Sequence, residues 1–406
     1  MNFRPLFITI LVLTASIARG AVVVDSISAE PLAMASVFDR NGNIIGTTDS
    51  RGYLPRFESS SYPLTVRYMG YESAQVERGD ADTVRMKEQT YVLPELAVAS
   101  GKRNILYMTG YIREYSTLTT YNDTVVMFRE KTVDFMVPDK EEKRIKGWSN
   151  QRILSSRSYY HISNYWGLDS VSDRFNRNFS WGDWVGIVNR VKIPAKLRDA
   201  EVAVDTLWGK YSPATIWRRD GDRLTLDINV LADTVNRRWV SNFWGFNNNR
   251  AEFSTLTLRY TFDNISSTEL LADNLSSISF NIESRGRGPN LYNVFEKDEP
   301  FFVSTYVEMY ITDRRFLTLK EARNIEKHLA EAIDGQILRP DQVPPLQPAI
   351  AALVERVDSI DHDRRHREIA TDKRIGAFRD GRPARPLSIG TIVDAVKGKV
   401  KRWRGR

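Results

Sequence analysis

Short segments in which apolar and polar residues alternate occupy the first hundred positions, with glycine and asparagine turns between them. Ala35–Phe38 and Ile44–Ile45 flank the dipeptide Asn41-Gly42, which supplies the positive φ angles that a tight hairpin needs. Residues Leu64–Tyr68 alternate as a half-buried strand does. The pattern predicts a small all-β sandwich over residues 21–99.

Longer segments rich in β-branched and aromatic residues continue beyond a short polar linker at residues 100–104. The predicted strands of this part are Ile105–Tyr115, Thr124–Val137, Leu224–Val230, Ser254–Phe262, Ser276–Ile282 and Phe301–Ile311. We therefore predict a second, larger β-rich domain over residues 105–317, so that the chain as a whole is mainly β.

Near position 318 the spacing of apolar residues changes from the alternation of strands to the spacing typical of helices. Thr318 and Glu321 form a capping box, and Gly335 is a suitable C-cap for the helix that they begin. A second helix is predicted after Pro348, with one apolar face made by Ile350, Leu353, Val354, Val357 and Ile360. We expect a helical segment over residues 318–368 and a basic, partly disordered tail over residues 369–406.

Three blocks of the first hundred residues carry a family resemblance: Pro31–Val37, Gly46–Tyr53 and Leu64–Glu72. In that order they resemble the carboxypeptidase-like regulatory domain, and Leu93–Ala99 resembles the short strand that follows this domain in TonB-dependent outer-membrane receptors. The resemblance implies a transthyretin-like β-sandwich that serves as an accessory module without catalytic residues. Residues 123–131 and 167–173 are similar to uncharacterised envelope proteins that carry the same module.

The first twenty residues predict export. Arg4 precedes the mostly apolar run Leu6–Ala15, and Ala18-Arg19-Gly20 has small residues where a signal peptidase reads. We expect cleavage before Ala21 and a periplasmic or outer-membrane-associated protein. The absence of cysteine suits an envelope compartment and leaves no thiolate metal site.

The net charge of +7 comes from the C-terminal tail. Residues 364–406 contain fourteen Lys and Arg against four acids, and Arg4 and Arg19 belong to the signal. The remaining body is therefore acidic, with a net charge of −5 by the same count. This distribution gives no indication of a nucleic-acid partner.

Aromatic residues suggest one binding site. Eight of the nine tryptophans lie between positions 148 and 244, and exposed indole and phenol rings stack on sugars. We identify Trp181, Trp184, Trp166 and Tyr165 as candidate ligand-binding residues for glycan. The other interpretation, that these rings fill the core of the β domain, stands beside it.

Catalytic and metal signatures are weak, and we predict no cofactor and no metal. His328 and Glu331 match one half of a zinc signature, but the third histidine of a metallocarboxypeptidase has no counterpart at the required distance. The function predicted is that of a non-enzymatic envelope accessory protein, binding or structural, whose partners are glycan or other envelope proteins. One alternative is a hydrolase using carboxylates among Asp169, Asp173, Asp183, Glu201 and Asp205, and a second is a small outer-membrane β-barrel.

The tail suggests contact with a membrane surface. Apolar residues from Ile389 to Trp403 recur at helical spacing, with lysines and arginines on the other side. The candidate membrane-contact residues are Ile392, Val396, Lys397, Lys401, Arg402 and Trp403. A helix docked on the acidic body and an unstructured tail are the two alternatives.

Overall fold

The computed structural model describes residues 20–79, 81–89, 104–121, 123–139, 142–163, 168–172, 185–187, 190–198, 202–234, 237–240, 250–265, 269–287, 299–328, 337, 339–341 and 343–359. The chain divides into two compact units, residues 1–90 and residues 91–406. Strands dominate both units, and the two longer helices follow the last strand. The predicted fold class, mainly β with a β-sandwich first and two late helices, is confirmed.

The first unit contains strands β1 (Val22–Asp25), β2 (Ser36–Phe38), β3 (Ile44–Thr47), β4 (Leu64–Arg67), β5 (Ala74–Val76) and β6 (Thr83–Met86). Strand β1 pairs in parallel with β6, and a separate antiparallel sheet has the order β3-β2-β4-β5. The predicted hairpin joins β2 to β3, with Gly42 at a φ of 84°. Apolar residues of both sheets, including Val23, Val37 and Val66, form one core.

Strand β4 differs from its prediction. All four of its residues are buried, including the polar pair Thr65 and Arg67, whereas the alternation predicted that one face meets solvent. The Arg67 Nη1 atom donates a hydrogen bond to the Ser73 Oγ atom at 3.2 Å. A guanidinium can be buried when it is hydrogen-bonded. The polar residues of β4 therefore do not need to face solvent.

The second unit contributes β7 (Ile105–Thr119), β8 (Thr124–Pro138), β9 (Trp148–Ile162), β10 (Leu168–Ser172), β11 (Arg190–Lys192), β12 (Val204–Trp208), β13 (Pro213–Asp220), β14 (Arg223–Asn229), β15 (Arg237–Val240), β16 (Arg250–Phe262), β17 (Glu269–Leu271), β18 (Leu275–Arg287) and β19 (Pro300–Leu317). Eleven of these strands form one antiparallel sheet, in the order β10-β9-β8-β7-β19-β18-β16-β14-β13-β12, with β15 also paired to β16. Strands β11 and β17 pair separately.

The two faces of this sheet differ in chemistry. One face, called here the inner face, carries the large apolar core that includes Ile112, Val133, Phe280 and Val307. The opposite face, called the outer face, is polar and aromatic although most of its side chains are also buried. Burial on both faces explains why the long strands are apolar or paired at nearly every position.

Side chains of the outer face are aligned in rows across four strands, β19, β7, β8 and β9. An aromatic row consists of Tyr306, Tyr115, Phe128 and Tyr159, whose successive ring centroids lie 5.1–6.1 Å apart. The next row alternates in charge and consists of Glu308, Arg113, Glu130 and Arg157. Directly opposite residues of unlike charge stabilise the pairing of neighbouring strands.

In its described residues the second unit also contains the α-helices α1 (Ala195–Arg198), α2 (Leu319–Lys327) and α3 (Pro348–Asp358). The predicted capping box of α2 is present, with reciprocal hydrogen bonds between Thr318 and Glu321. Helix α2 ends at His328, and the predicted C-cap Gly335 lies outside the described residues. Helix α3 packs against β9 and β10 and buries Ile350, Leu353, Val354 and Val357 of its predicted apolar face, whereas Ile360 lies outside the described residues. None of the helices in the described residues combines the length and apolarity needed to cross a membrane.

Candidate functional site

The predicted site residues fall in parts of the chain that the structure does not describe. Trp181, Trp184, Trp166 and Tyr165 lie outside the described residues. The tail residues Ile392, Val396, Lys397, Lys401, Arg402 and Trp403 also lie outside them. Both hypotheses therefore stay predictions.

The side chains of three other tryptophans of the predicted cluster are described, and they differ in environment. Trp217 is 7% exposed and belongs to the apolar core of the inner face. Trp148 is partly buried beneath the Arg152 guanidinium, whose Cζ atom lies 3.1 Å from the ring centroid. Trp208 is 69% exposed. The sequence cluster thus contains both core and surface rings.

Trp208 belongs to a concentration of exposed apolar side chains. Six of the nine large hydrophobic residues that are exposed in the described part of the chain lie between positions 202 and 230. We call them the apolar hairpin surface: Val202, Val204, Leu207, Trp208, Tyr211 and Val230. Leu207 and Tyr211 are 65% and 54% exposed. Val204 and Leu207 lie three positions apart on one strand and therefore point to opposite faces of the sheet, so the hairpin exposes apolar side chains on both sides. Exposed apolar side chains concentrated in one part of a chain are candidates for an interaction site.

The loop that joins β12 to β13 is held by hydrogen bonds on both sides. The Gly209 amide donates to the Ser212 carbonyl at 2.9 Å, and the Tyr211 amide donates to the Ala232 carbonyl at 2.9 Å. The Lys210 amide donates to the Asp233 Oδ1 atom at 2.7 Å. The bonds of Lys210 and Tyr211 connect the hairpin to the turn after β14. The exposed rings of the hairpin are therefore held in a fixed position.

The close approach of this loop to the turn after β14 requires a glycine at position 209. A Cβ atom at this position would lie 2.7 Å from the Cβ atom of Ala232 and 2.9 Å from the Asp233 Oδ1 atom. Any larger residue would therefore push the loop away from the turn that anchors it. A β-bulge between Leu207 and Trp208 also interrupts the pairing with β13, and bulges re-aim side chains at sheet edges.

The opposite end of the sheet is covered. His161 on β9 and Asp169 on β10 are cross-strand partners, and the His161 Nδ1 atom lies 2.6 Å from the Asp169 Oδ1 atom. The Arg356 Nε atom of helix α3 donates to the Asp169 Oδ2 atom at 3.0 Å. Burial alone would raise the pKa of Asp169, but the hydrogen bonds from His161 and Arg356 outweigh it and lower the pKa.

The carboxylates suggested for hydrolysis are distributed along the sheet. Asp169 and Asp205 lie on β10 and β12, which are the first and last strands of the sheet order. Asp173, Asp183 and Glu201 lie outside the described residues. Asp169 already accepts from an arginine and a histidine, an arrangement that fastens α3 to the sheet edge.

A glutamate of the outer face links the sheet to the segment before α3. Glu130 accepts two hydrogen bonds from Arg339 and one from the Tyr111 hydroxyl. Burial raises the pKa of Tyr111, and the negative charge of Glu130 raises it further, so the phenol stays protonated and donates. Arg113 donates to the Pro344 carbonyl and thereby fixes the same segment.

Charged residues are also buried among the apolar residues of the inner face. Glu114, Arg129 and Lys131 are fully buried, and the Lys131 Nζ atom lies 2.9 Å from the Glu114 Oε2 atom. The Arg129 Nη1 atom lies 3.8 Å from the same oxygen, and its Nε atom donates to the Ser158 Oγ atom at 2.6 Å. No solvent reaches these three side chains, and we interpret their contacts as structural ion pairs.

No metal site is evident in the described ranges, which contain no group of three or more His, Asp and Glu side chains placed to hold an ion. His328 is the exposed C-cap of α2. The described residues thus give the apolar hairpin surface as the strongest candidate site.

No family model matches this chain. No curated protein matches it either. A solved structure concerned with lipid–protein interactions in lipovitellin aligns at 10% identity over 53% of this chain and 26% of the lipovitellin chain, with a TM-score of 0.27. The InvG secretin domain β-barrel of the Salmonella SPI-1 injectisome aligns at 9% identity over 63% of this chain and 74% of that chain, with a TM-score of 0.09. At these TM-scores neither alignment carries an argument about fold or function, and the resemblance of the first unit to the carboxypeptidase-like regulatory domain stays a prediction.

Proposed function

We propose that this chain is a non-enzymatic accessory protein of the bacterial cell envelope that binds another envelope protein through the apolar hairpin surface. The observation that carries the proposal is the exposure of Leu207, Trp208 and Tyr211 at the hairpin of β12 and β13, whose loop is fixed by hydrogen bonds. Large exposed rings at a rigid site are characteristic of binding hot spots. The envelope location follows from the predicted signal peptide.

The composition of the surface favours a protein partner over a glycan. Four of its six members, Val202, Val204, Leu207 and Val230, are aliphatic, and aliphatic side chains offer no ring face for a sugar to stack on. Protein interfaces, in contrast, bury aliphatic and aromatic side chains together at their centres. Glycan binding through Trp208 and Tyr211 is the competing outcome of the experiment.

The test is site-specific photo-crosslinking in intact cells. A photoreactive phenylalanine analogue replaces Tyr211 in one variant and Tyr121 in a control, because Tyr121 is 80% exposed and lies in the turn between β7 and β8, far along the sheet order from β12. We expect a discrete adduct at position 211, destroyed by protease, that Trp208→Ala abolishes. The control position should give none.

Other outcomes contradict the proposal. An adduct that resists protease but is degraded by glycan-cleaving treatment assigns the surface to glycan. Equal adducts at positions 211 and 121, or an adduct that survives Trp208→Ala, show that this surface has no specific protein partner.

A further inference from the structure

Strand β12 is an open edge of the eleven-stranded sheet. It pairs with β13 on one side, and no described strand pairs with its other side. Helix α3 packs against β9 and β10 at the opposite end of the sheet, and the short helix α1 contacts β12. Natural proteins protect sheet edges because unpaired backbone groups attract other strands.

The direction of the free backbone groups follows from one hydrogen bond. The Arg219 amide donates to the Ala203 carbonyl at 2.8 Å, so this antiparallel pair is a hydrogen-bonded one. Hydrogen-bonded and non-hydrogen-bonded pairs alternate along an antiparallel ladder. The N–H and C=O groups of Asp205 and Leu207 therefore face β13, and those of Val204 and Thr206 face the open side.

Strand β12 carries few of the devices that block an edge. Its sequence, Val-Asp-Thr-Leu-Trp, contains no lysine and no proline, and Asp205 is its one charged residue. Its bulge lies at the far end, between Leu207 and Trp208, which leaves Val204 and Thr206 in regular extended geometry. Exposed Val204 and Leu207 add apolar contact on this strand.

Exposed cations stand near both ends of the edge. Lys196 and Arg198 are exposed on α1, which lies against β12, and Lys210 is exposed just beyond its last residue. The acids Asp220 and Asp222 belong to the β13–β14 turn, one strand further from the open side. Lys210 is offset by the exposed Asp233, whose Oδ1 atom accepts a hydrogen bond from the Lys210 amide. A segment lying along the edge would therefore meet two cations at the end near α1 and a balanced pair of charges at the other end.

We propose that β12 binds an extended segment of a partner protein as an added strand, with alternating apolar residues and an acidic residue at the end that lies near α1. Main-chain hydrogen bonds to Val204 and Thr206 hold the segment in place, and the apolar hairpin surface receives its side chains. This inference rests on the proposed function, because it specifies how the protein partner is bound.

The experiment pans a displayed library of random twelve-residue peptides against the full chain and measures the enriched peptides on two variants. Thr206→Pro removes the outward N–H without touching the bonds to β13, and edge strands tolerate such a proline. Thr206→Val keeps the N–H and is the matched control. We expect Thr206→Pro to weaken binding by about tenfold or more, since a hydrogen bond is lost and a carbonyl is left buried without a donor, whereas Thr206→Val changes it less than about threefold.

Hydrogen exchange provides a second readout that does not depend on the proline variant. In the wild-type chain, an enriched peptide should slow exchange of the Val204 and Thr206 amides. Enriched peptides should carry an acid near one end and bind more weakly at high salt.

Each remaining outcome is decisive. Peptides that bind Thr206→Pro as well as wild type but fail to bind Trp208→Ala overturn strand addition and leave the proposed function standing. Peptides enriched equally on wild type and Trp208→Ala overturn both, as does a library without enrichment. Concentration-dependent self-association that Thr206→Pro abolishes assigns the edge to a second copy of this chain and overturns the proposal.

Discussion

Arg339 and Glu130 form a bidentate ion pair between residues 209 positions apart in the chain, with Nε to Oε1 at 2.8 Å and Nη2 to Oε2 at 2.7 Å. Glu130 is 1% exposed and lies in the outer face of the sheet, whereas Arg339 belongs to the segment that leads into α3. The pair therefore fastens that segment to β8. Parallel hydrogen bonds between guanidinium and carboxylate are among the strongest polar contacts in proteins.

Replacing Arg339 should consequently be costly. Arg339→Gln leaves the buried Glu130 carboxylate without the positive charge that compensates it. We expect a loss of roughly 2–4 kcal/mol in the free energy of unfolding. Because all nine tryptophans lie at or after position 148, urea denaturation followed by tryptophan fluorescence reports on the second unit. The matched control Arg285→Gln breaks a more exposed pair with Glu252 and should cost about 1 kcal/mol or less. Equal losses in the two variants would contradict a structural role for the Arg339 pair.

The buried residues Glu114, Arg129 and Lys131 of the inner face predict which of two substitutions costs more stability. Glu114→Gln leaves Arg129 and Lys131 buried without their shared carboxylate and should cost roughly 3–5 kcal/mol. Lys131→Met removes one cation and leaves Glu114 beside Arg129, so its cost should be smaller. The same urea titration measures both, and the reverse order would show that the charges are not mutually compensating.

The edge strand β12 predicts different responses to proline at adjacent positions. Asp205→Pro deletes an N–H that faces β13 and should destabilise the second unit by about 3 kcal/mol. Thr206→Pro deletes an N–H that faces the open side and should cost about 1 kcal/mol or less. A comparable loss at both positions would contradict the hydrogen-bond directions inferred from the Ala203–Arg219 bond.

Asp25 makes the stability of the first unit depend on pH. Burial tends to raise its pKa, but hydrogen bonds from the amides of Ser28 and Ile27, at 2.7 and 2.8 Å, hold the pKa below the usual value of 3.8. A lowered pKa gives stability that is complete above the unfolded-state value and is lost as pH falls through the folded-state value. We expect backbone amides of the first unit to exchange faster as the pH falls below about 4, after correction for intrinsic exchange.

The control for this pH dependence is Asp25→Asn, which keeps the shape of the side chain but does not titrate. Its stability should be lower than that of the wild type at pH 6 and should change less between pH 5 and pH 2. An identical pH profile for both proteins would remove Asp25 as the responsible group. The unit contains no tryptophan, so hydrogen exchange is the appropriate measurement.

The predicted amphipathic tail leads to a test of membrane contact. With Ile392, Val396 and Trp403 on one face and Lys397, Lys401 and Arg402 at the other, the mature protein should sediment with anionic liposomes at low salt. Salt at about 0.5 M should weaken this because it screens the attraction between exposed charges. Truncation after Arg385 should abolish it. Equal sedimentation of full-length and truncated protein would show that the tail is not the membrane contact.

The sequence pattern predicted the strands that have regular apolar alternation. Strands β7, β8, β14, β16, β18 and β19 were all expected, with ends displaced by several residues. Strand β9 was missed, because Ser156 and Ser158 replace apolar residues where it packs beside Lys131 and Arg129. A strand whose inner face packs beside buried charged side chains does not show the alternation of apolar and polar residues that identifies a strand in a sequence.

The candidate site was harder to predict than the fold. Trp208 was grouped with seven other tryptophans, and composition alone does not separate a core ring such as Trp217 from a surface ring such as Trp208. Its exposure follows from the position of β12 at the end of the sheet, which depends on pairings made by strands up to a hundred residues away. The one local signal was Gly209-Lys210-Tyr211-Ser212, a turn sequence directly after Trp208.

The rows of the outer face have a consequence for how the chain assembles. Strands β19 and β7 meet from opposite ends of the second unit, so their alignment is chosen late and at a large cost in chain entropy. A displacement of two residues would keep every side chain on its own face, but it would place Arg113 opposite Tyr306 or Tyr310 instead of Glu308. Such a displacement would lose the opposite-charge pair between these strands, so we expect the ionic row to favour the native alignment over one displaced by two residues.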